Sequence, residues 1–341
     1  MTLLFVDGFD HYETADLARK WTSSSNASIA AGAARYGAGG LRLSSAAFGA
    51  YVSRGFGARA SWIVGCAFKV NSFATETVVI GLRDAGSYQV QLRIQTNGLL
   101  RLVRGNDSAT LATGSTALSS GSWYYLELKA TINDATGSYT VRINGATEFS
   151  GSSADTQATG TATADEVVLG YAGAGAGVSA NHDYDDVYVA DTTGPPNNDV
   201  LGDCRVETLY PSGAGAAAAW TPNGAGSNYD CVDEAAPDDD TTYVSSSTAT
   251  QKDTYAAGDL SGTPDSIKGV QTVLMVRKDD AGTRTFAAVI RSGGADYDGT
   301  SVNVTTDYLC YPEVRETDPA TSAAWTASGV NALEVGVKLV A

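Results

Sequence analysis

WYYLELKA (Trp123–Ala130), DATG (Asp134–Gly137), SYTVRI (Ser138–Ile143) and NG (Asn144–Gly145) follow one another in the middle of the chain. In Tyr124–Ala130 and again in Ser138–Ile143, polar and apolar side chains alternate. A period of two puts successive side chains on opposite faces of an extended chain, so each segment reads as a strand with one face on a core and the other in water. DATG and NG punctuate these strands, and upstream Asp84–Ser87 and Asn97-Gly98 supply residues that tolerate the positive φ of tight reversals. The stretch therefore predicts an antiparallel meander.

The same texture extends outward in both directions. Ser61–Val70, Thr77–Leu82, Tyr88–Gln95 and Leu99–Arg104 are β-rich runs separated by Asp84–Ser87 and Asn97-Gly98, and Val167–Tyr171 and Tyr184–Ala190 follow the central stretch. Helical periodicity is almost absent; only Glu13–Lys20, with Thr14 as its cap, is predicted to make a helical turn or two. Pro195-Pro196, flanked by Gly194 and Asn197-Asn198, interrupts ladder hydrogen bonding and predicts a linker at 194–198. Beyond it, strands are predicted at Cys204–Leu209, Ser266–Arg277, Arg284–Ser292, Asp307–Val314 and Leu333–Leu339. The Gly-, Ala- and Asp-rich Ser212–Asp240 reads as an excursion that meets a neighbour. The fold class expected is all-β: two β-sandwich domains, 1–193 and 199–341, joined by 194–198.

Of 341 residues, 43% are hydrophobic and 18% charged, which suits packed cores and not disorder. The net charge of −16 is uneven: residues 1–194 contribute −4 and the remainder −12. A field of that sign repels phosphate backbones and anionic membranes, so no nucleic acid and no membrane insertion are expected. MTLLFVDGFDHY at the start reads as a first strand and not as a secretory leader. Cys66, Cys204, Cys231 and Cys310 lack CxxC spacing. They read as buried thiols, with a Cys204–Cys231 disulfide as the less favoured alternative.

Three features together resemble the concanavalin A-like jelly rolls of the laminin-G and pentraxin branch: Phe5–Asp10 (FVDGFD), Trp123–Leu128 with Gly137–Gly145, and Tyr184–Val189 (YDDVYV). The resemblance implies that Phe5–Asp10 pairs with Asp186–Ala190. Combined with Asp199–Pro211, Trp220–Pro222 and Asp318–Trp325, it is similar to a recurrent type of bacteriophage virion protein. That implies a structural component of the particle, tail-associated, localised to the virion, with other virion proteins as partners, a homo-oligomeric state and a host-surface glycan as ligand. The acidic 199–341 domain would be the assembly module. A capsid decoration protein and a stand-alone carbohydrate-binding module are the alternatives.

The chemistry-bearing residues point away from catalysis. Glu127 is the only carboxylate of its strand, whereas a retaining glycosidase needs two carboxyl groups ~5 Å apart. His11 and His182 lie in no nucleophile motif. The expectation is therefore a non-enzyme, with no catalytic, cofactor-binding or metal residues and no cofactor. Two groups offer candidate metal donors, oxygen-rich clusters suiting calcium and imidazole suiting transition metals. His11, His182, Asp10, Asp183 and Asp185 would share a neighbourhood if the terminal strands pair, and Asp238-Asp239-Asp240 is a second acidic run. Solvated loops are the favoured reading of both. Trp62 and Trp123 are expected in the core, and Tyr171, Tyr184, Tyr229 and Tyr297 at surface contacts.

Overall fold

The computed structural model describes residues 2–44, 49–106, 109–173 and 181–341. It is almost entirely antiparallel β-structure and divides into two compact units, Met1–Val206 and Glu207–Ala341.

The first unit opens with β1 (Leu3–Asp7), β2 (Ser23–Ser25), β3 (Ala27–Ala30) and β4 (Gly40–Leu43). It continues through β5 (Tyr51–Arg59), β6 (Ser61–Val70), β7 (Thr77–Asp84), β8 (Ser87–Ile94), β9 (Leu100–Arg104) and β10 (Ala109–Thr113). It ends with β11 (Trp123–Thr131), β12 (Gly137–Ile143), β13 (Ala146–Ala154), β14 (Ala164–Gly170) and β15 (His182–Ala190). The larger sheet runs β13-β12-β11-β6-β15-β4-β3, with β1 also on β15; the smaller runs β10-β9-β8-β7-β14-β5-β2. The two form a sandwich, as the alternation predicts.

The expected sealing of the ends is present over Leu3–Asp7 and Val187–Ala190, without Gly8–Asp10 or Asp186: Phe5 faces Val189, Val6 faces Tyr188 and Asp7 faces Val187. The turns follow the chemistry of their residues. Ala85 and Gly86 have φ of 47° and 83°, and Asn144 and Gly145 have 49° and 80°, the two consecutive positive values of a type I′ hairpin loop.

Between the sheets lies a continuous core. Trp62, Val64, Cys66 and Phe68 of β6 meet Leu126, Leu128 and Ala130 of β11 and Val79, Ile80 and Leu82 of β7. Each fully buried side chain of this size stabilises by roughly 1.5–3 kcal/mol. At one end, the buried Asp7 accepts hydrogen bonds from Lys20 Nζ (2.8 Å), Tyr12 Oη (2.7 Å) and Trp21 Nε1 (3.0 Å). The short helical segment expected at Glu13–Lys20 forms as a turn at Thr14–Asp16 followed by α1 (Leu17–Lys20), but Glu13 and not Thr14 is its cap. Glu13 N–H donates to Asp16 Oδ2, while Thr14 Oγ1 accepts from Ile29 N–H instead.

The second unit contains β16 (Pro211–Ala218), β17 (Thr221–Asn223), β18 (Tyr243–Ser245), β19 (Lys252–Ala257) and β20 (Val270–Val276). After these come β21 (Thr285–Ser292), β22 (Ala295–Asp298), β23 (Val302–Asn303), β24 (Leu309–Arg315), α2 (Ala327–Asn331) and β25 (Glu334–Leu339). Its main sheet is β16-β19-β25-β21-β22 with β23 on β21, beside the ribbons β17-β18 and β20-β24. Its apolar clusters are small: Ile290, Trp325, Val330 and Leu333 in one, Phe286, Val304 and Val337 in the other.

Three sequence expectations change. Cys204–Leu209 is not a strand. Ser212–Asp240 is not strand-free, because it holds most of β16 and all of β17; its Gly and Ala residues carry little β-propensity, so the pattern hides the strand. The expected linker at 194–198 gives way to a boundary at Val206/Glu207. β15 ends at Ala190, before the prolines, and the chain after them still packs on the first unit.

Candidate functional site

The outward face of the larger sheet carries the chemistry. Alternation assigns the faces. Leu126 and Leu128 of β11, Phe68 and Val70 of β6, Tyr184 of β15 and Leu41 and Leu43 of β4 point into the core. Their neighbours Trp123, Lys69, Asp183 and Arg42 therefore point out. Register places these four in one transverse row, extended to Ser28: Trp123 faces Lys69, Lys69 faces Asp183, Asp183 faces Arg42, and Arg42 faces Ser28.

Asp183 is the hub of the row. Its carboxylate is buried and accepts from Arg42 Nε (2.8 Å) and Nη2 (3.0 Å) and Asn71 Nδ2 (3.3 Å), with Lys69 Nζ at 3.0 Å. Burial alone would raise its pKa; the Arg42 and Lys69 cations outweigh that and hold it below the usual range. Arg42, correspondingly, is held above its ordinary value by the bond to Asp183. Lys69 Nζ also sits 4.7 Å from the centre of the half-buried Trp123 ring. Trp123 is thus no core residue, contrary to expectation. Trp62 is. The parity that Trp123 shares with Glu127 and Lys129 is the signal that separates the two.

Toward the middle of the face, residues 199–206 run over the sheet as a strap. Leu201 N–H donates to Tyr188 Oη (3.1 Å), Gly202 N–H to Glu127 Oε1 (2.8 Å) and Val206 N–H to Asp186 Oδ1 (2.8 Å). Tyr188 Oη itself donates to Glu127 Oε1 at 2.6 Å. The Tyr188 ring lies against Gly65, where any Cβ would collide with it. A bulge in β15 accompanies the left-handed φ of 51° at Asp186 and leaves both Asp185 and Asp186 on the outer side, with Val187 returned to the core. Burial, reinforced by Asp186, pushes Asp185 up to about 7; burial pushes Asp186 up to about 6. Tyr36, 45% exposed, is flanked by the Arg35 and Arg205 guanidiniums, each 5.0 Å from its ring centre.

Beyond the strap a cleft of ≈ 480 Å³ opens over β11–β13, lined by Lys129, Ser138, Thr140, Arg142, Thr147 and Asp199, with Tyr139 and Val200. Lys129 pairs with Asp199 at 2.9 Å, and Arg142 Nη1 lies 3.7 Å from Glu127 Oε2. Hydroxyls and paired charges dominate the lining.

The candidate metal donors do not converge. His11 Nε2 lies 2.9 Å from Lys20 Nζ, and burial lowers its pKa to about 3. His182 packs on Phe68 (5.3 Å) with no hydrogen bond at either ring nitrogen among the described residues, and burial lowers it to about 4. Asp10 caps the Ala38 and Gly39 N–H groups, and Asp185 caps those of Arg35 and Tyr36. In the second unit, Asp238 binds Thr242 while Asp240 pairs with Arg277 (2.7 Å) and Tyr308 (2.9 Å). Among the described residues, no group of three or more His, Cys, Asp or Glu is placed to hold a metal ion. No helix among them is long and apolar enough to cross a membrane. Among the described residues, Cys66, Cys204, Cys231 and Cys310 form no disulfide. Tyr184, expected at the surface, is fully buried.

No family model and no curated protein matches the chain. Solved structures do. An alginate lyase, Aly36B, is 12% identical over 56% of this chain and 97% of its own, with a TM-score of 0.40. A sialidase from Trypanosoma rangeli is 14% identical over 44% of this chain and 25% of its own (TM-score 0.34). Domain 4 of AbnA, a GH43 extracellular arabinanase from Geobacillus stearothermophilus, solved with arabinotriose, is 18% identical over 50% of this chain and 77% of its own (TM-score 0.37). The chain spans about a quarter of the Trypanosoma sialidase. The expectation of a non-enzyme is corrected here: the similar structures are those of carbohydrate-active enzymes, and the missing carboxylate pair argued only against one glycosidase mechanism. At these identities the likeness bears on the β-sandwich architecture alone.

Proposed function

We propose that the first unit binds carbohydrate on the outward face of its larger sheet, and that the chain is a tail-associated structural component of a bacteriophage virion, presenting that face to host-surface glycan. The observation that carries the binding reading is the row Trp123–Lys69–Asp183–Arg42. An aromatic ring beside fixed hydrogen-bonding groups matches a sugar, whose ring offers an apolar face and a rim of hydroxyls. The polar cleft beyond the strap extends the same surface for further sugar units. The virion setting is supported by the resemblance of Asp199–Pro211, Trp220–Pro222 and Asp318–Trp325.

Binding of the full chain to host-surface polysaccharides tests the first part. Wild type is expected to bind and Trp123→Ala to lose most of that affinity while melting at an unchanged temperature; equal binding by the variant would refute the assignment. Electron microscopy of particles labelled for this chain tests the second, with labelled copies expected in symmetric array at the tail.

A further inference from the structure

We infer that the Trp123–Lys69–Asp183–Arg42 row selects sugars that carry a carboxylate, the uronic and sialic acid class, over neutral ones. The inference rests on the glycan-binding reading above and adds the ligand's charge. Lys69 and Arg42 share one buried carboxylate, so the row holds two cations against one anion. Asn71, the remaining partner of Asp183, is neutral. Residues 45–48 and 174–180, next in sequence to β4 and β15, contain no ionisable side chain. The next outward residue of β15, Asp185, is occupied by the Arg35 and Tyr36 N–H groups.

The cleft beyond the strap provides an internal contrast. There Lys129 faces Asp199 and Arg142 faces Glu127, one carboxylate for each cation. A surplus positive charge in a chain of net charge −16 is local, and it lies where Lys69 contacts the Trp123 ring. The side chains of Lys69 and Arg42 keep 15% and 29% of their surface in solvent, enough to meet a ligand, whereas Asp183 keeps none. A sugar ring on Trp123 would bring an equatorial carboxylate toward Lys69, with Arg42 two strands further along the row for the next unit, where charge-assisted bonds are stronger than those to a hydroxyl.

The test uses the full chain and a panel of uronate- and sialate-bearing polysaccharides, each offered native and after chemical reduction of its carboxyl groups to neutral alcohols. Wild type is expected to prefer the native form of at least one polysaccharide by about tenfold or more. Lys69→Gln leaves Asp183 paired with Arg42 and Asn71, and it is expected to collapse that preference. Trp123→Ala is expected to weaken both forms. Equal binding of native and reduced forms by wild type, or an undiminished preference in Lys69→Gln, would overturn the inference and leave the glycan-binding reading standing. Absence of binding to every member in both forms would overturn the two together.

Discussion

The two units solve the same problem with different means. The first buries a continuous apolar layer between two sheets and also buries ionisable groups, Asp7 with Lys20 at one end of the sandwich and, under the strap, Glu127 with Tyr188 and Asp185 beside Asp186. The second has two small apolar clusters, and its main sheet carries a lattice of ion pairs: Lys252 with Asp296 and Asp298, Lys338 with Asp298, and Arg291 with Asp296 and Glu334. Charges in a low-dielectric interior couple strongly to stability, while charges in solvent couple weakly. The first unit should therefore be sensitive to single charge changes and the second tolerant of them.

The largest break is expected at Asp7. Asp7→Ala leaves the buried Lys20 ammonium without its carboxylate and strips the acceptor from Tyr12 and Trp21, a loss of about 3–5 kcal/mol. In the second unit, Asp253 is the nearest equivalent, buried and accepting from Trp220 N–H and Tyr255 Oη. Its partners are neutral, so Asp253→Ala is expected to cost about 1–3 kcal/mol. Calorimetry of the full chain compares the two. Equal losses would show that the buried charge in the first unit has no special weight.

The second prediction concerns pH and sits entirely on β15. His182 is lowered to about 4 from an ordinary 6.5, so the unfolded chain binds its proton first and stability from this residue falls as pH drops from about 6.5 to about 4. Asp185 is raised to about 7, so the folded chain binds its proton first and stability from this residue rises over the fall from about 7 to about 4. The two oppose one another within one strand. Asp185→Asn, which mimics the protonated acid, is expected to raise the melting temperature at pH 8 and leave it little changed at pH 5. His182→Leu is expected to flatten the acid limb below pH 6. Parallel profiles for wild type and both variants would contradict the assignment.

The difference between the units also explains what was legible in the sequence. Where one face is buried and the other wet, as in β11 and β12, alternation announces the strand, and the meander was readable. In the second unit β16 alternates between half-buried and exposed using only Pro, Ser, Gly and Ala, so the pattern carries no contrast. The paired terminal strands were readable from resemblance. The candidate row was not, because Arg42, Lys69, Trp123 and Asp183 come from four strands spread over 142 positions of sequence, and only register unites them. The strap escaped for a related reason: Pro195-Pro196 marks only a stretch without ladder hydrogen bonds, whereas the end of a packed unit is set by the partners of Gly202 and Val206.

The smallest effect is expected on the second unit's ion-pair lattice. Lys252 and Lys338 lie directly opposite each other on β19 and β25, an arrangement that is unfavourable for like charges, and Asp298 reaches both. Asp298→Asn removes the shared anion and exposes the repulsion. Because the groups are partly solvated, the cost is expected to be below about 1 kcal/mol at low ionic strength and to fade in molar salt, where the screening length is about 3 Å. Asp7→Ala, its partners out of reach of solvent, should keep its full cost in the same salt. A salt-independent loss for Asp298→Asn, measured by chemical denaturation, would mean that the lattice acts through packing and not through charge, and the distinction between the units would narrow to the size of their cores.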